Sequence, residues 1–238
     1  MTIDAANMHF QTLNEQIREA REDVTVDNCC GQRFIASGLK GKTITINGTP
    51  GNALGAYLDG ASIVVHGNAQ DATGDTMNSG EIVIHGNTGD AAGYAMRGGA
   101  IYVRGNAGYR AGIHMKAYKD KLPVMVIGGR CGSFLGEYQA GGIIIVLGRG
   151  TEGDVISNFC GTGMHGGKIF LRCSSIGVRL PKQVESRPAE AADLDEIRPF
   201  LRRYCELFTV EEDSLFEKPF YLLTPNTKNP YKQLYVQN

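Results

Sequence analysis

His66 and His85 lie 19 residues apart, and Arg104 follows at the same spacing. Two imidazoles stacked by such a period could share a metal ion. The arginine next in line would repel a cation, so a solvated ladder is the plainer reading. Six cysteines are present: Cys29, Cys30, Cys131, Cys160, Cys173 and Cys205. None form a CxxC pair, and scattered cysteines of this kind read as reduced, half-buried small residues. The adjacent pair Cys29 and Cys30 is the one place where a redox role is conceivable. "ASGLKGKT" (Ala36 to Thr43) places Gly41, Lys42 and Thr43 in a loose phosphate-loop pattern. "GTGMHG" (Gly161 to Gly166) fits GxGxxG. Both patterns need a helix to follow, so that backbone amides and the helix dipole meet phosphate. Each leads instead into a strand-like run, "TITIN" and "KIFLR", and neither reads as a nucleotide site. His114 and His165 sit in Gly-rich corners without an evident carboxylate or cysteine partner. Asp71 and Asp90 recur at corner positions, where Asp commonly bonds its own backbone. There is no GxSxG and no HExxH. No catalytic, cofactor-binding or metal-ligating residue is assigned.

The elements that must carry these residues repeat. Gly48, Gly67, Gly86 and Gly105 recur every 19 residues, and longer steps lead to Gly128, Gly148 and then Cys173. A second column runs Gly55, Gly74, Gly93, Gly112, Gly136 and Gly161. A third holds Gly80, Gly99, Gly142 and Gly167, with Ala61 in the same slot. Before each anchor glycine stands a short strand whose alternate positions are apolar: Ile44 and Ile46, Ile63 and Val65, Ile82 and Ile84, Ile101 and Val103. The series continues with Val124 and Val126, Ile144 and Val146, and Ile169 and Leu171. Period-2 alternation of β-branched residues is a strand signal. A single strand per repeat buries nothing alone, so the strands must stack in register. The expected fold is an all-β solenoid, a single-stranded right-handed parallel β-helix of about seven rungs. At ~4.8 Å per rung it is roughly 34 Å long. Corner glycines such as Gly86 are expected to need a conformation that a Cβ would strain. Leu58, Met77, Met96, Met115 and Met164 form one more column, interrupted by Gln139, and read as core filler rather than thioether ligands. "KAYKDKLP" (Lys116 to Pro123) reads as a lysine-bearing excursion or a partner contact.

Three segments follow: an N-terminal helical cap (1–32), the β-helix (33–180), and a linker, helix and extended tail (181–238). Leu13, Ile17 and Ala20 give the first helix an apolar side with which to cover the opening rung. "PKQVESRP" reads as linker. Leu194, Ile197, Leu201, Tyr204 and Phe208 share one face of the second helix, which carries Pro199. The strand centres Val64, Val83, Tyr102, Met125, Ile145 and Phe170 are expected to face outward although apolar. Such a stripe asks for a cover, either that helix or a partner subunit.

With a net charge of -1, the chain gives no electrostatic reason to expect nucleic acid or an anionic membrane. No run approaches 18 apolar residues and the first residues have no signal-peptide character, so a cytoplasmic location is expected.

"GNALGAYLDG", "GDTMNSGEIVIHGN", "GYAMRGGAIYVRGNAG", "GEYQAGGIIIVLGRG" and "GTGMHGGKIFLR" together resemble the Gly-rich repeat domain at the C-terminal end of the glutamate synthase large subunit. The likeness covers about residues 33 to 173. "HMKAYKDKLPV" and the ending "NPYKQLY" resemble its free-standing form. One of the subunits of formylmethanofuran dehydrogenase carries a similar repeat. The resemblance to the synthase implies a non-catalytic subunit that holds a glutamine amidotransferase and an FMN/iron–sulfur subunit in register for glutamine-dependent glutamate formation. Glutamine hydrolysis would reside in one partner, since residue 2 is Thr rather than a nucleophilic Cys, and FMN and the cluster in another, since no cluster motif is present. The alternatives are a structural component of a formylmethanofuran-type molybdopterin dehydrogenase, or a stand-alone β-helix enzyme acting on carbohydrate. The last would need a surface carboxylate cluster, which the sequence does not display.

Overall fold

A computed structural model describes residues 1–226. Its strands are β1 (Thr2–Asp4), β2 (Val24–Cys30), β3 (Thr43–Thr49), β4 (Asp59–His66), β5 (Ser79–Ile84), β6 (Gly99–Val103), β7 (Pro123–Ile127), β8 (Ala140–Val146), β9 (Gly166–Arg172), β10 (Val184–Pro188) and β11 (Phe220–Pro225). Two α-helices accompany them among the described residues, α1 (Phe10–Glu19) and α2 (Ala191–Phe208). β1 to β9 pair in chain order and in parallel, so the chain is an all-β solenoid of about eight turns, one more than its glycine period predicts. The ladder starts before residue 33, because β1 and β2 already belong to it.

Register explains the apolar alternation. Ile44, Ile63, Ile82 and Ile101 are successive partners, and all four are fully buried inside the coil. The rung at β7 departs from the expected phase. Ile101 pairs with Met125 and Val103 with Ile127, so Met125 and Ile127 point inward while Val124 and Val126 point out. The anchor of this rung is Gly129, whose amide bonds the Gly105 carbonyl, rather than Gly128. The whole Lys116–Leu122 excursion precedes the strand and lengthens this step by one residue more than the Gly128 anchor implied. The third column shifts too: a bulge between Asp59 and Ser62 gives the positive φ to Gly60 instead of Ala61.

Anchor glycines are required for a reason other than handedness. Gly67, Gly86 and Gly105 have no positive φ. A Cβ on Gly86 would lie 2.6 Å from the carbonyl oxygen of Gly67 in the coil before it, so the coils stack only where side chains are missing. Asn and Asp then bond along the stack. The side-chain oxygen of Asn68 accepts from the Asn87 amide at 2.8 Å, and that of Asn87 from Asn106 at 2.7 Å. Asp71 and Asp90 accept from the amides of Asp90 and Tyr109, each at 2.8 Å, so they join neighbouring coils rather than bonding their own backbone.

Opposite the strands each coil forms a tight arch in which every second residue has positive φ. Ala72, Gly74 and Thr76 have φ of 57°, 71° and 51°, and Arg110, Gly112 and His114 repeat the pattern at 56°, 69° and 55°. From Gly55 onward the middle residue is Gly because its Cβ would enter the core, where on Gly74 it would meet Ile101 Cδ1 at 2.5 Å; the first arch carries the buried Ala36 in that place, at φ 59°. The flanking residues direct their side chains outward and need not be Gly.

Both ends are closed. Leu13 and Ile17 of α1 are buried against the first coils, and Ala20 packs beside them. "PKQVESRP" is not a linker: it contains β10, which pairs antiparallel with β11, and β11 pairs antiparallel with β9. The outward stripe is covered by α2. Ile197, Leu201, Tyr204 and Phe208 form a second core with Val83, Tyr102, Val126, Ile145 and Phe170. Pro199 is accommodated inside α2, and the Arg187–Asp193 pair at 2.6 Å secures its first turn. "NPYKQLY" lies outside the described residues.

Candidate functional site

Several groups that could do chemistry are committed to structure. Lys42, the lysine of the GKT pattern, donates from Nζ to the carbonyls of Ile17 at 2.9 Å, Arg18 at 3.2 Å and Ala20. A cation on the unpaired carbonyls at the end of α1 is a helix cap, not a phosphate ligand. Gly161 and Gly163 of the GxGxxG pattern form a left-handed arch that feeds β9. His165 Nδ1 lies 3.1 Å from the Gly163 carbonyl within the same turn.

The thiols are poor nucleophiles. Burial pushes Cys29 up to about 11 and Cys160 to about 12, and holds Cys131 well above its ordinary value. Thiolate is the reactive form, so burial quenches these groups. All six cysteines are free, and Cys30 alone is exposed. The methionine column is core: Met77, Met96, Met115 and Met164 are fully buried with Leu58. Gln139 keeps its place there by donating from Nε2 to the carbonyls of Gly141 and Gly142, both at 3.2 Å.

The histidine ladder forms as the period implies. His66 and His85 have ring centroids 4.9 Å apart, and Phe208 closes edge-on at 5.2 Å from His85. Burial first, then His66 and Arg104, hold His85 below its usual value. Among the described residues no group of three or more His, Cys, Asp or Glu side chains is placed to hold a metal ion.

A feature that motif reading missed lies along the arches. Their outward positions carry a line of aromatic residues, including Tyr57 at 57% exposure and Phe159 at 54%, while Tyr109 at 54% stands just before its arch in the column of Asp71 and Asp90. The line is ordered. His114 stacks on Tyr138 at 5.1 Å and 10°, and Tyr94 meets His114 edge-on at 5.9 Å. Phe134 stacks on Phe159 at 4.8 Å, with the Arg110 guanidinium 4.7 Å above Phe134 and paired to Glu137 at 3.0 Å. The sequence did carry a signal, since Tyr, Phe or His recurs two residues either side of the middle glycine. Rigid, half-exposed aromatic groups on regular backbone offer contact area with little entropy left to lose, which suits macromolecular contact better than turnover. Beside this surface the Lys116–Leu122 excursion folds into a tight antiparallel turn, Tyr118 with Lys121, and Lys121 reaches Asp59 at 3.8 Å.

The comparisons agree with this architecture. The family model described as the GXGXG motif matches residues 9–220. The uncharacterized protein MJ1350 of Methanocaldococcus jannaschii is 45% identical, with 99% of this chain and 96% of that protein covered. A chain in the X-ray structure of the formyltransferase/hydrolase complex (FhcABCD) from Methylorubrum extorquens, in complex with methylofuran, superposes with a TM-score of 0.64. It is 19% identical, and the match covers 94% of this chain and 95% of that one.

Proposed function

The chain belongs to the GXGXG-motif family, and from that premise we propose that it is a non-catalytic subunit that positions the catalytic subunits of a larger enzyme assembly. The observation that carries this reading is the ordered aromatic line on a rigid solenoid whose Lys42 and buried thiols are committed to structure. Such a part raises the effective concentration of reacting partners without altering their chemistry.

The assembly we favour is one that handles a formyl group on a furan-type carrier. The support is the near full-length likeness to a chain of the formyltransferase/hydrolase complex solved with methylofuran. A glutamate-synthase-type assembly is the second reading, favoured by the compound phrase G-x-x-M-x-G-G-x-I-x-V, present as "GYAMRGGAIYV" (Gly93 to Val103). In that reading the partners are a glutamine amidotransferase and an FMN/iron–sulfur subunit. Any cofactor belongs to partner subunits in either case.

The test is purification of the tagged chain from its own cells with its bound partners, followed by two assays with and without this chain. One follows formyl transfer involving methylofuran, the other glutamine-dependent glutamate formation. Dependence of formyl transfer on the chain supports the favoured reading, and dependence of glutamate formation supports the second. A chain that purifies alone and alters neither rate refutes the scaffold role.

A further inference from the structure

Three successive coils place an arginine at the same corner of the solenoid. Arg104 follows β6, Arg130 follows β7 and Arg149 follows β8. They line one cavity of about 370 Å³ together with Asn106, Thr151 and Glu152. Arg130 takes up the asparagine column: its amide donates to Asn106 Oδ1 at 2.9 Å, as Asn106 does to Asn87. Where earlier coils carry a small amide, this one carries a guanidinium.

The cavity has a built wall. A short insert after Gly148 curls over the corner with left-handed glycines at Gly150 and Gly153, φ 67° and 86°. The Arg149 amide is tied to the Gly128 carbonyl at 2.7 Å. Gly128 has no side chain because the Tyr204 ring of α2 reaches this point. The Tyr204 hydroxyl lies 3.4 Å from the Arg104 carbonyl and interacts with the Arg149 side chain. Tyr204 of α2 therefore holds the Arg104 backbone and the Arg149 side chain beside the cavity.

The charges lack acidic partners. Among the described residues five of the fourteen arginines form an ion pair, and Arg104, Arg130 and Arg149 are among the nine that form none; they differ from the other six in lining one cavity together. Glu152 on the insert forms no ion pair there either, although it shares the cavity. Guanidinium groups are planar forks that match carboxylate and phosphate oxygens two at a time. We propose that this corner is a binding site for a small polyvalent oxyanion, a phosphate ester or a polycarboxylate, held by Arg104, Arg130 and Arg149. The site is independent of what the assembly catalyses.

Isothermal titration of the purified chain at low ionic strength, with pyrophosphate in one arm and citrate in the other, tests this and separates the two sources of charge. Saturable one-to-one binding is expected in at least one arm. It should weaken ten-fold or more in Arg130→Gln/Arg149→Gln, persist in Arg21→Gln, and tighten in Glu152→Gln. In the unmodified chain the bound probe should slow phenylglyoxal labelling of Arg149, read by mass spectrometry, which needs no variant to fold. Failure of both probes to saturate, or affinity and labelling indifferent to these changes, overturns the proposal.

Discussion

Ala72 and Gly74 sit two residues apart in one arch, both with positive φ, at 57° and 71°. Exchanging their side chains should give effects of opposite sign. For Ala72→Gly, removing an L-residue from the left-handed region returns about 1–2 kcal/mol. The extra freedom of Gly in the unfolded chain takes back about 0.4–1 kcal/mol. The expected net is a gain of roughly 0–1.6 kcal/mol by the same two terms. For Gly74→Ala both terms reverse, and a third is added. The new Cβ would lie 2.5 Å from Ile101 Cδ1 and 3.5 Å from Ile82 Cδ1, in a column with no free space. Overpacking of that kind costs about 1–3 kcal/mol. The sum is a loss of roughly 1–4.6 kcal/mol, with Ile101 deciding the place in that range by how far it can rotate. Urea titration followed by far-UV circular dichroism reads both, provided the slope stays constant so that midpoints report stability. Equal destabilisation by the two substitutions would mean that the outward and inward assignments of the arch are wrong.

Ile82 is fully buried between Ile63 and Ile101, so Ile82→Ala should cost about 2–5 kcal/mol, whereas the exposed His66→Ala should move the urea midpoint little. The Arg187 guanidinium beside Asp193, with the Glu190 amide at 2.8 Å, holds that carboxyl below its ordinary value. A depressed folded value means stabilisation that is complete above the unfolded value near ~4 and lost as pH falls through the folded one. Thermal melts below pH ~4 should therefore fall more steeply for the wild type than for Asp193→Asn. His85 is also depressed, chiefly by burial, so the unfolded chain takes up its proton first. Stability should decline as pH drops below ~6.5, and His85→Gln should flatten that decline in melts between pH 5 and 8.

The strand columns were legible because β3 and β4 alternate in burial and the constant 19-residue period carries their phase into β5 and β6, where Val83 and Tyr102 are buried under α2 as well. At β7 all five residues are buried, since one face meets the coil interior and the other meets α2. A strand apolar on both faces carries no phase in its sequence, and the doubled Gly128–Gly129 left two possible anchors. The cover by α2 was readable from its own spacing and from the apolar strand centres it needed. β10 was not: Val184 alone of its five residues is buried, and its pairing depends on β11, 36 residues later. The arches were hidden for another reason. Ala, Thr, Arg and Phe at positive φ look ordinary in sequence, because the demand for Gly falls only where the side chain would point inward. Arg130 and Arg149 escaped because each is unremarkable alone, and only the stacking of coils makes them neighbours.

The solenoid assigns different work to its sides, and the energetics follow that division. The strand side of β5 to β9 is closed by α2, and that packing contributes stability. The arch side tolerates left-handed Ala, Thr, Arg, His and Phe, each at a cost of about 1–2 kcal/mol in backbone energy. A chain selected for stability alone would relieve that cost with Gly, as it does at the inward positions from Gly55 to Gly161. Retaining side chains there, and stacking them as His114 on Tyr138 and Phe134 on Phe159, makes sense where the side chains themselves are used. The positioning reading rests on that imbalance. It requires that Tyr57→Ala together with Phe159→Ala weaken subunit association while leaving the melting temperature of the isolated chain unchanged. A fall in melting temperature with association intact would assign the aromatic line to folding instead.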